Sequence, residues 1–306
     1  MGLRTVSNIN QTLTNYAQGI AQDRRSALAD FIAPVVRVAA SIGQFKKFSE
    51  KNDFLVYNTA RAVGGSATRI VFDASDATYN CLPQALEIAI DDAERAASGD
   101  DQLGIEQSKV ASVVSAAILA HEDQVFTAIK SAVSATGGVG VWSSASNDPV
   151  AEIDAQIETI ATNTGIMPNR IVFGLGAWTK FRNHPKVVAK FPGAVLVGVT
   201  TAQAASLLLN PGIEVRVGVL GKDSTKLGQT KSGTNVVGSE VFVFIGNDSP
   251  TVYDPSFAKT FMAGAGGVTS VREYRDESAR SDIYAVDWAR DIEVVSTACV
   301  KRITAS

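Results

Sequence analysis

The chain has 306 residues, of which 45% are hydrophobic and 19% are charged, a composition that excludes wholesale disorder. The formal net charge of -3, from 28 basic and 31 acidic residues, argues against a protein whose main task is to coat nucleic acid through its phosphates. Cys81 and Cys299 are the only cysteines, so a disulfide framework is excluded and both are predicted to be buried as small hydrophobic residues.

Residues 2–30 form a polar segment with a thin helical stripe of apolar side chains. The members of the stripe are Ile9, Leu13, Tyr16 and Ile20. Because so narrow a stripe cannot bury the segment, we expect an N-terminal arm that is frayed or packed on another element, and the composition favours a frayed end. The segment has no apolar signal region, and no apolar run approaches the length of a membrane span, so no membrane partner is predicted.

The next region predicts strands on either side of a long excursion. Residues 31–39 predict a strand that Pro34 restricts to a sheet edge or a strand entrance. A second strand is predicted at 45–48, and strand character returns at 70–72. Loops of this length are usually functional or disordered, so we expect a β-arm that reaches over another subunit, with a solvated hairpin as the alternative. The candidate contact residues of this arm are Lys46, Lys47, Lys51, Phe54, Tyr57, Arg61 and Arg69.

Residues 78–90 predict a further strand, which Pro83 restricts to an irregular or edge position. A short helix follows, and the acidic residues at its two ends suit helix termini better than a cation site, because they lack the spacing of a ligand loop. These residues are Asp91, Asp92, Asp100 and Asp101.

The longest predicted element is a helix over residues 103–133. Its apolar side chains recur at three- and four-residue steps on one face. They are Val110, Val114, Ile118, Val125, Ile129 and Val133, and His121 completes the row. No proline interrupts the pattern, and Gly137 and Gly138 predict where it stops. Such a helix would span about 45 Å and needs a sheet or other helices along its apolar face.

A glycine- and serine-rich connector at 137–147 predicts a domain boundary. Beyond it, a helix with Pro149 in its first turn opens a helix–strand alternation that continues to residue 248 and predicts an α+β or α/β layer, with an exposed, mobile loop at 226–240. From residue 249 the chain predicts long strands at 268–274, 283–288 and 292–300, with charged residues on one face. We expect these strands to form a terminal sheet that covers the long helix.

Groups for catalysis are scarce. His121 begins HEDQV, but a zinc-protease motif needs a second histidine where Val125 stands, so His121 is predicted to be a packing residue. His184 is predicted to serve at a turn or helix terminus. Neither a nucleophile elbow nor a complete phosphate-binding loop is present, so no catalytic residue, metal or cofactor is predicted.

The order of these elements resembles the major capsid proteins of tailed phages, the Hong Kong 97 type of fold. The stretches that carry the resemblance are FIAPVVRVAASIGQFKKF, ARAVGG, YNCLPQALEIAIDDAERA, NRIVFGLGAWTKFRNHPKV and SVREYRDESARSDIYAVDWARDIEV. The resemblance implies an α+β fold. Its implied parts are an N-arm at 1–30, a peripheral domain at 31–147 with an extended E-loop near 41–79 and a spine helix near 103–134, an axial domain at 148–248, and C-terminal strands of the peripheral domain at 249–306.

The resemblance implies a non-enzymatic chain that self-assembles into the pentamers and hexamers of an icosahedral head. The head would first be a procapsid and then an expanded capsid around double-stranded DNA, bound without sequence specificity. The implied location is the virion, after assembly in the host cytoplasm, and the further implied partners are scaffold, portal and decoration proteins. An encapsulin-like shell with an enzyme cargo is the first alternative. An α/β enzyme, suggested by the layer after residue 148, is the second.

Overall fold

The computed structural model describes residues 10–23, 27–48, 56, 59–61, 63–65, 67, 74–97, 102–136, 141–191, 198–223, 225, 228–247, 249, 251, 256–264 and 270–305. The helices in these ranges are α1 (Gln11–Asp23), α2 (Ala29–Ile32), α3 (Asp92–Ala97), α4 (Gln102–Ala132), α5 (Pro149–Thr164), α6 (Leu175–Asn183), α7 (Pro185–Val188) and α8 (Thr201–Leu207). The strands are β1 (Val35–Val38), β2 (Ile42–Phe48), β3 (Ala74–Asn80), β4 (Leu82–Asp91), β5 (Ala135–Thr136), β6 (Arg170–Gly174), β7 (Glu214–Gly218), β8 (Gly221–Asp223), β9 (Gly233–Asn235), β10 (Glu240–Phe244), β11 (Ala258–Ala263), β12 (Val271–Asp276), β13 (Ser281–Val294) and β14 (Val300–Thr304).

The first sheet is organised around β13, the longest strand. Strand β4 pairs with β13 along one edge, and the opposite edge pairs first with β12 and then with β11, which in turn pairs with β1. Side chains alternate along β13, so Tyr284, Val286 and Trp288 share one face. Tyr284, Val286 and Trp288 pack against α4. This confirms that strands near the C-terminus cover the long helix.

The second sheet has the strand order β5-β14-β10-β6-β7. Phe173 of β6 lies on one face, where it meets Trp142 and Phe181 at ring-centroid distances of 6.5 and 5.3 Å. Phe242 of β10 lies on the other face, 5.7 Å from the ring of Phe126 in α4. Both faces are therefore covered by aromatic side chains, as expected for a sheet at the centre of a hydrophobic core.

Helix α4 joins the two sheets. Its first half packs Val110, Val114 and Ile118 on the first sheet, and its second half places Val125 and Ile129 in the core of the second. By length and composition alone, residues 103–132 also meet the criterion for a membrane span, contrary to the sequence prediction. The packing of α4 on both sheets accounts for its apolar face without a membrane.

The N-terminal segment is not frayed where the structure describes it. Helix α1 buries Leu13 and Ala17 against α4, and the Asn10 side-chain amide donates to Glu273 of β12 at 2.8 Å. The expectation of a free end was wrong because the narrow apolar stripe has a partner about a hundred residues away, which local sequence does not reveal.

Several predicted boundaries also need correction. The strand expected at 31–39 starts only at Val35, because the preceding residues form α2. The strand at 78–90 breaks at Cys81, and β13 ends at Val294. Strand β14 then crosses to the second sheet, where it pairs with β10, so the expected strand at 292–300 does not exist as one element of a terminal sheet.

The long helix ends at Ala132, before the predicted stop, and residues 137–140 lie outside the described residues, as do Asp100 and Asp101. The connector is more than a linker, since Trp142 is buried and donates to Glu152 at 2.6 Å. The loop predicted at 226–240 includes strand β9 and the buried Val236 and Val237, so its second half belongs to the fold.

Candidate assembly surface

Strands β2 and β3 form a two-stranded ribbon whose root is fixed on the first sheet. Phe45 is buried, with its ring 5.2 Å from that of Phe261 in β11, and Tyr79 stacks on Phe261 at 4.6 Å. Gly43 faces Tyr79 across the ribbon, and a Cβ atom at Gly43 would lie 2.3 Å from the tyrosine hydroxyl oxygen. Two aromatic rings and one glycine therefore set the angle at which the ribbon leaves the sheet.

Beyond the root, the ribbon carries apolar side chains that nothing in the described chain covers. Val56 and Val63 are 97% and 106% exposed. Single exposed apolar residues are normal on a surface, but two fully exposed valines in one excursion mark a segment that suits contact with another chain.

The structure describes only part of the predicted contact set. Lys47 is half-buried, with its Nζ 5.6 Å from the centroid of the Phe45 ring, and Arg61 is exposed. Burial raises the pKa of Glu293 on β13 and Asp291 adds to this, whereas the charge of Lys47 opposes the rise. Lys47 therefore interacts with groups of its own chain, the Phe45 ring and the Glu293 carboxyl group. The Lys46 side chain and residues Lys51, Phe54, Tyr57 and Arg69 lie outside the described residues, as does the predicted strand at 70–72.

Sequence reasoning missed the residues that position the ribbon. The predicted strands at 45–48 and 78–90 include Phe45 and Tyr79, but neither residue was singled out. The available signal was the aromatic pair at the two ends of the excursion, since a strand that must leave a sheet needs an anchor at its base. Asp291 completes the root by accepting the backbone N–H of Asn80 at 2.7 Å.

The face of the first sheet opposite α4 carries ion pairs and small side chains. Arg272 donates to Asp287 at 2.9 Å, and the Tyr274 hydroxyl donates to Glu87 at 2.8 Å. A shallow depression of about 500 Å³ lies beside them. Its lining residues are Pro83, Gln84, Ala85, Ala263, Asp287, Trp288 and Ala289. The predicted charged face is thus confirmed, and it leaves an open surface next to the edge strand β4.

Both histidines have structural partners. His121 is buried, and its Nε2 lies 3.2 Å from Asp30 Oδ1. His184 Nδ1 accepts the backbone N–H of Lys186 at 3.2 Å, and the residue lies between the end of α6 and the start of α7, as predicted for a turn or helix terminus. Cys81 and Cys299 are both buried, and neither forms a disulfide. Within the described ranges, no group of three or more histidine, cysteine or acidic side chains is arranged to hold a metal ion.

Known structures share this arrangement over its whole length. A phage-related protein from Bordetella bronchiseptica RB50 matches with a TM-score of 0.75 and 23% identity over 98% of both chains. The capsid structure of cyanophage P-SCSP1u matches with a TM-score of 0.55 and 12% identity, over 90% of this chain and 86% of that one. The chain has the Hong Kong 97-type capsid fold.

This capsid fold confirms the predicted α+β class. It is also shared by an encapsulin from Synechococcus elongatus PCC 7942, with a TM-score of 0.55 and 10% identity over 100% of this chain and 92% of that one. No protein-family model matches the sequence, and no curated protein matches it significantly. The similarity therefore lies in the three-dimensional arrangement.

Proposed function

We propose that the chain is a major capsid protein that assembles through pentamers and hexamers into the icosahedral head of a tailed phage. The observation that carries this proposal is the capsid fold, which matches the cyanophage capsid structure over 90% of the chain and the phage-related protein over 98%. The protein would be located in the virion, after assembly in the host cytoplasm. Its role would be structural, without a cofactor.

The parts of the molecule have distinct roles in this proposal. The ribbon, near 41–79, is the E-loop, and the fully exposed Val56 and Val63 support a contact with a neighbouring subunit. Residues 148–248 form the axial domain that lines the centre of each pentamer or hexamer, and β14 belongs to its sheet. The first sheet and α4 form the peripheral domain.

The other partners follow from the same proposal. The net charge of -3 suits a shell that encloses double-stranded DNA without condensing it, and no sequence-specific contact is expected. A scaffold, a portal and decoration proteins are the further partners of this proposal.

An encapsulin-like shell is the second candidate, because the encapsulin and the cyanophage capsid match with the same TM-score of 0.55. The contents of native particles separate the two. Nuclease-protected DNA inside shells from the natural host supports the phage head, whereas a packaged enzyme without a genome supports the encapsulin.

Assembly itself is tested with the purified chain by size-exclusion chromatography and negative-stain microscopy. We expect rings or closed shells from the full chain. Deletion of residues 50–65 should abolish them while the far-ultraviolet circular dichroism and the cooperative unfolding of the chain are retained, because the ribbon root at Phe45 and Tyr79 stays intact.

The matched control shortens the loop between β8 and β9, which is another excursion from the folded body. This variant should still form shells. A full chain that stays monomeric under all conditions, or two deletions that impair assembly equally, would refute the role proposed for the ribbon.

A further inference from the structure

A fully buried carboxyl group holds the N-terminal part of the chain on α4. Glu122 has no exposed surface, and its Oε2 accepts the backbone N–H groups of Leu28 and Ala29, each at 2.7 Å. These two groups lie at the start of α2, where N–H groups have no partner within the helix. Glu122 of α4 therefore caps the N-terminus of α2. It also holds in place the segment that leads from α1 into β1.

The charged and titratable groups around Glu122 come from three elements. Asp30 lies on α2, His121 is its neighbour on α4, and Arg290 belongs to β13. The Arg290 guanidinium donates to the Gln124 side-chain oxygen at 2.7 and 3.1 Å, and His121 pairs with Asp30. Among the described residues, then, neither cation-forming side chain hydrogen bonds to Glu122.

The two oxygens of Glu122 are used unequally. Both N–H donors reach Oε2, and Oε1 is buried without a hydrogen-bond partner among the described residues. A proton on Oε1 would therefore leave both bonds to Oε2 in place. A charge spread over both oxygens would leave Oε1 desolvated and unpaired, which is costly in a protein interior.

The electrostatics point the same way. Burial raises the pKa of Glu122 from 4.5 to about 7, and the Asp30 charge adds to this, while the two N–H donors oppose it. Burial lowers the pKa of His121, so this side chain is neutral near pH 7, and Arg290 stays charged because its pKa, lowered by burial, is still about 10.

Because the pKa of Glu122 is higher in the docked state than in the solvated one, the docked state binds the proton more tightly. The stabilisation that protonated Glu122 gives the docked segment is complete below about pH 4.5 and is lost as the pH rises through about 7.

We propose that the protonation state of Glu122 controls how tightly the N-terminal segment is held. The neutral carboxyl group holds residues 27–33 on α4, and its ionisation at higher pH loosens them. The device is a property of the folded chain and is independent of whether the chain forms shells. Its effect would be to make the position of α1 and α2 sensitive to pH, while the backbone pairing of β6 with β7 and β10 keeps the second sheet formed.

Hydrogen–deuterium exchange of the full chain, held in one oligomeric state, tests this. Rates are corrected for the intrinsic pH dependence of exchange, and a peptide covering residues 27–33 is compared with one covering β6. We expect opening of the 27–33 peptide to increase about tenfold between pH 6 and pH 8 relative to β6, the change that linkage gives for this pair of pKa values.

The Glu122→Gln variant keeps a carbonyl oxygen for both N–H groups but cannot ionise, so its 27–33 peptide should show no such increase. Asp154→Asn is the matched control, since burial also raises the pKa of Asp154 and its carboxylate accepts the Leu209 N–H at 2.8 Å. This control should keep the wild-type pH dependence.

The proposal would be overturned if opening of the 27–33 peptide in the wild type did not increase with pH relative to β6. It would also be overturned if Glu122→Gln showed the same increase as the wild type. If that variant does not fold, the wild-type comparison of the two peptides still decides.

Discussion

The second sheet and the first sheet bury their apolar side chains in different ways. Around the second sheet, one continuous cluster extends from α2 and the second half of α4 to β14, and it covers both faces of the sheet. Around the first sheet, the buried residues fall into three separate clusters, and the face opposite α4 carries half-exposed ion pairs such as Arg272–Asp287.

This difference indicates where each region gets its stability. The second region resembles the core of an independent domain, because its sheet is buried on both sides. The first is a thin layer of one sheet and one long helix, with an edge strand, a depression and a ribbon that remain open. In the proposed shell, such a region has surface left for contacts with neighbouring subunits.

The largest expected effect comes from truncating the continuous core. Phe173→Ala should lower the free energy of unfolding by about 3–5 kcal/mol, because Phe173 is fully buried among three aromatic rings and its removal leaves a cavity. Phe45→Ala removes an equally large side chain from a small cluster at the edge of the first sheet, which can collapse more easily. We expect its cost near or below the lower end of that range.

Urea unfolding of the two variants under conditions that keep the chain unassembled measures both costs. A loss for Phe45→Ala that equals or exceeds that for Phe173→Ala would show that the first region is as tightly packed as the second. The comparison between the two regions would then fail.

A smaller effect is expected at Arg302, which holds the end of α4 on the second sheet. Arg302 of β14 donates to the carbonyl oxygens of Lys130 and Val133 at the end of α4, at 3.0 and 3.1 Å, and it pairs with Glu240 of β10. Arg302→Met would leave Glu240 largely buried, and among the described residues Lys130, at 3.6 Å, would be its remaining ion-pair partner. Loss of a buried partner of this kind costs about 2–3 kcal/mol here, because Lys130 compensates in part.

The double variant Glu240→Met with Arg302→Met removes both charges and should recover part of this loss. Thermal unfolding of the single and double variants gives the coupling between the two sites. If the double variant is less stable by the sum of both single losses, Arg302 and Glu240 do not stabilise the chain as a pair.

Elements with a strong local pattern were predictable from the sequence. The stripe from Val110 to Val133 marked α4, and Pro149 marked the start of α5. Strands β6 and β10 were also found, since their apolar runs are short and bounded by turn signals. Such a pattern shows which face of a segment is buried. It therefore identifies a helix or strand but not the element that packs against that face.

Of the partners that are distant in sequence, the packing of the C-terminal strands on the long helix was predicted, and the others were missed. The strand predicted at 292–300 ends where β14 begins, so neither β14 nor the sheet that it joins was predicted. The apolar stripe of α1 packs on α4, which is about a hundred residues away. Glu122 stands between Ile118 and Val125 on the buried face of the helix, and this apolar setting was the signal of a buried carboxyl group. Of the predicted contact residues, Lys47 and Arg61 alone have described side chains, so the set remains a prediction.

The smallest expected effect concerns the ribbon root. Gly43→Ala would place a methyl group against the ring of Tyr79, which must then shift away from its stack on Phe261. We expect a loss of about 1–3 kcal/mol, as for other overpacked sites, and a changed near-ultraviolet circular dichroism signal from the tyrosine. Gly221→Ala is the control in the other two-stranded sheet, where the nearest atom, the carbonyl oxygen of Thr234, is at an ordinary 3.5 Å. This control should change stability little.

Because the root sets the direction of the ribbon, Gly43→Ala should also reduce shell formation more than its modest cost in stability would suggest. Normal shells from a destabilised Gly43→Ala chain would show that the ribbon finds its neighbour without a fixed root.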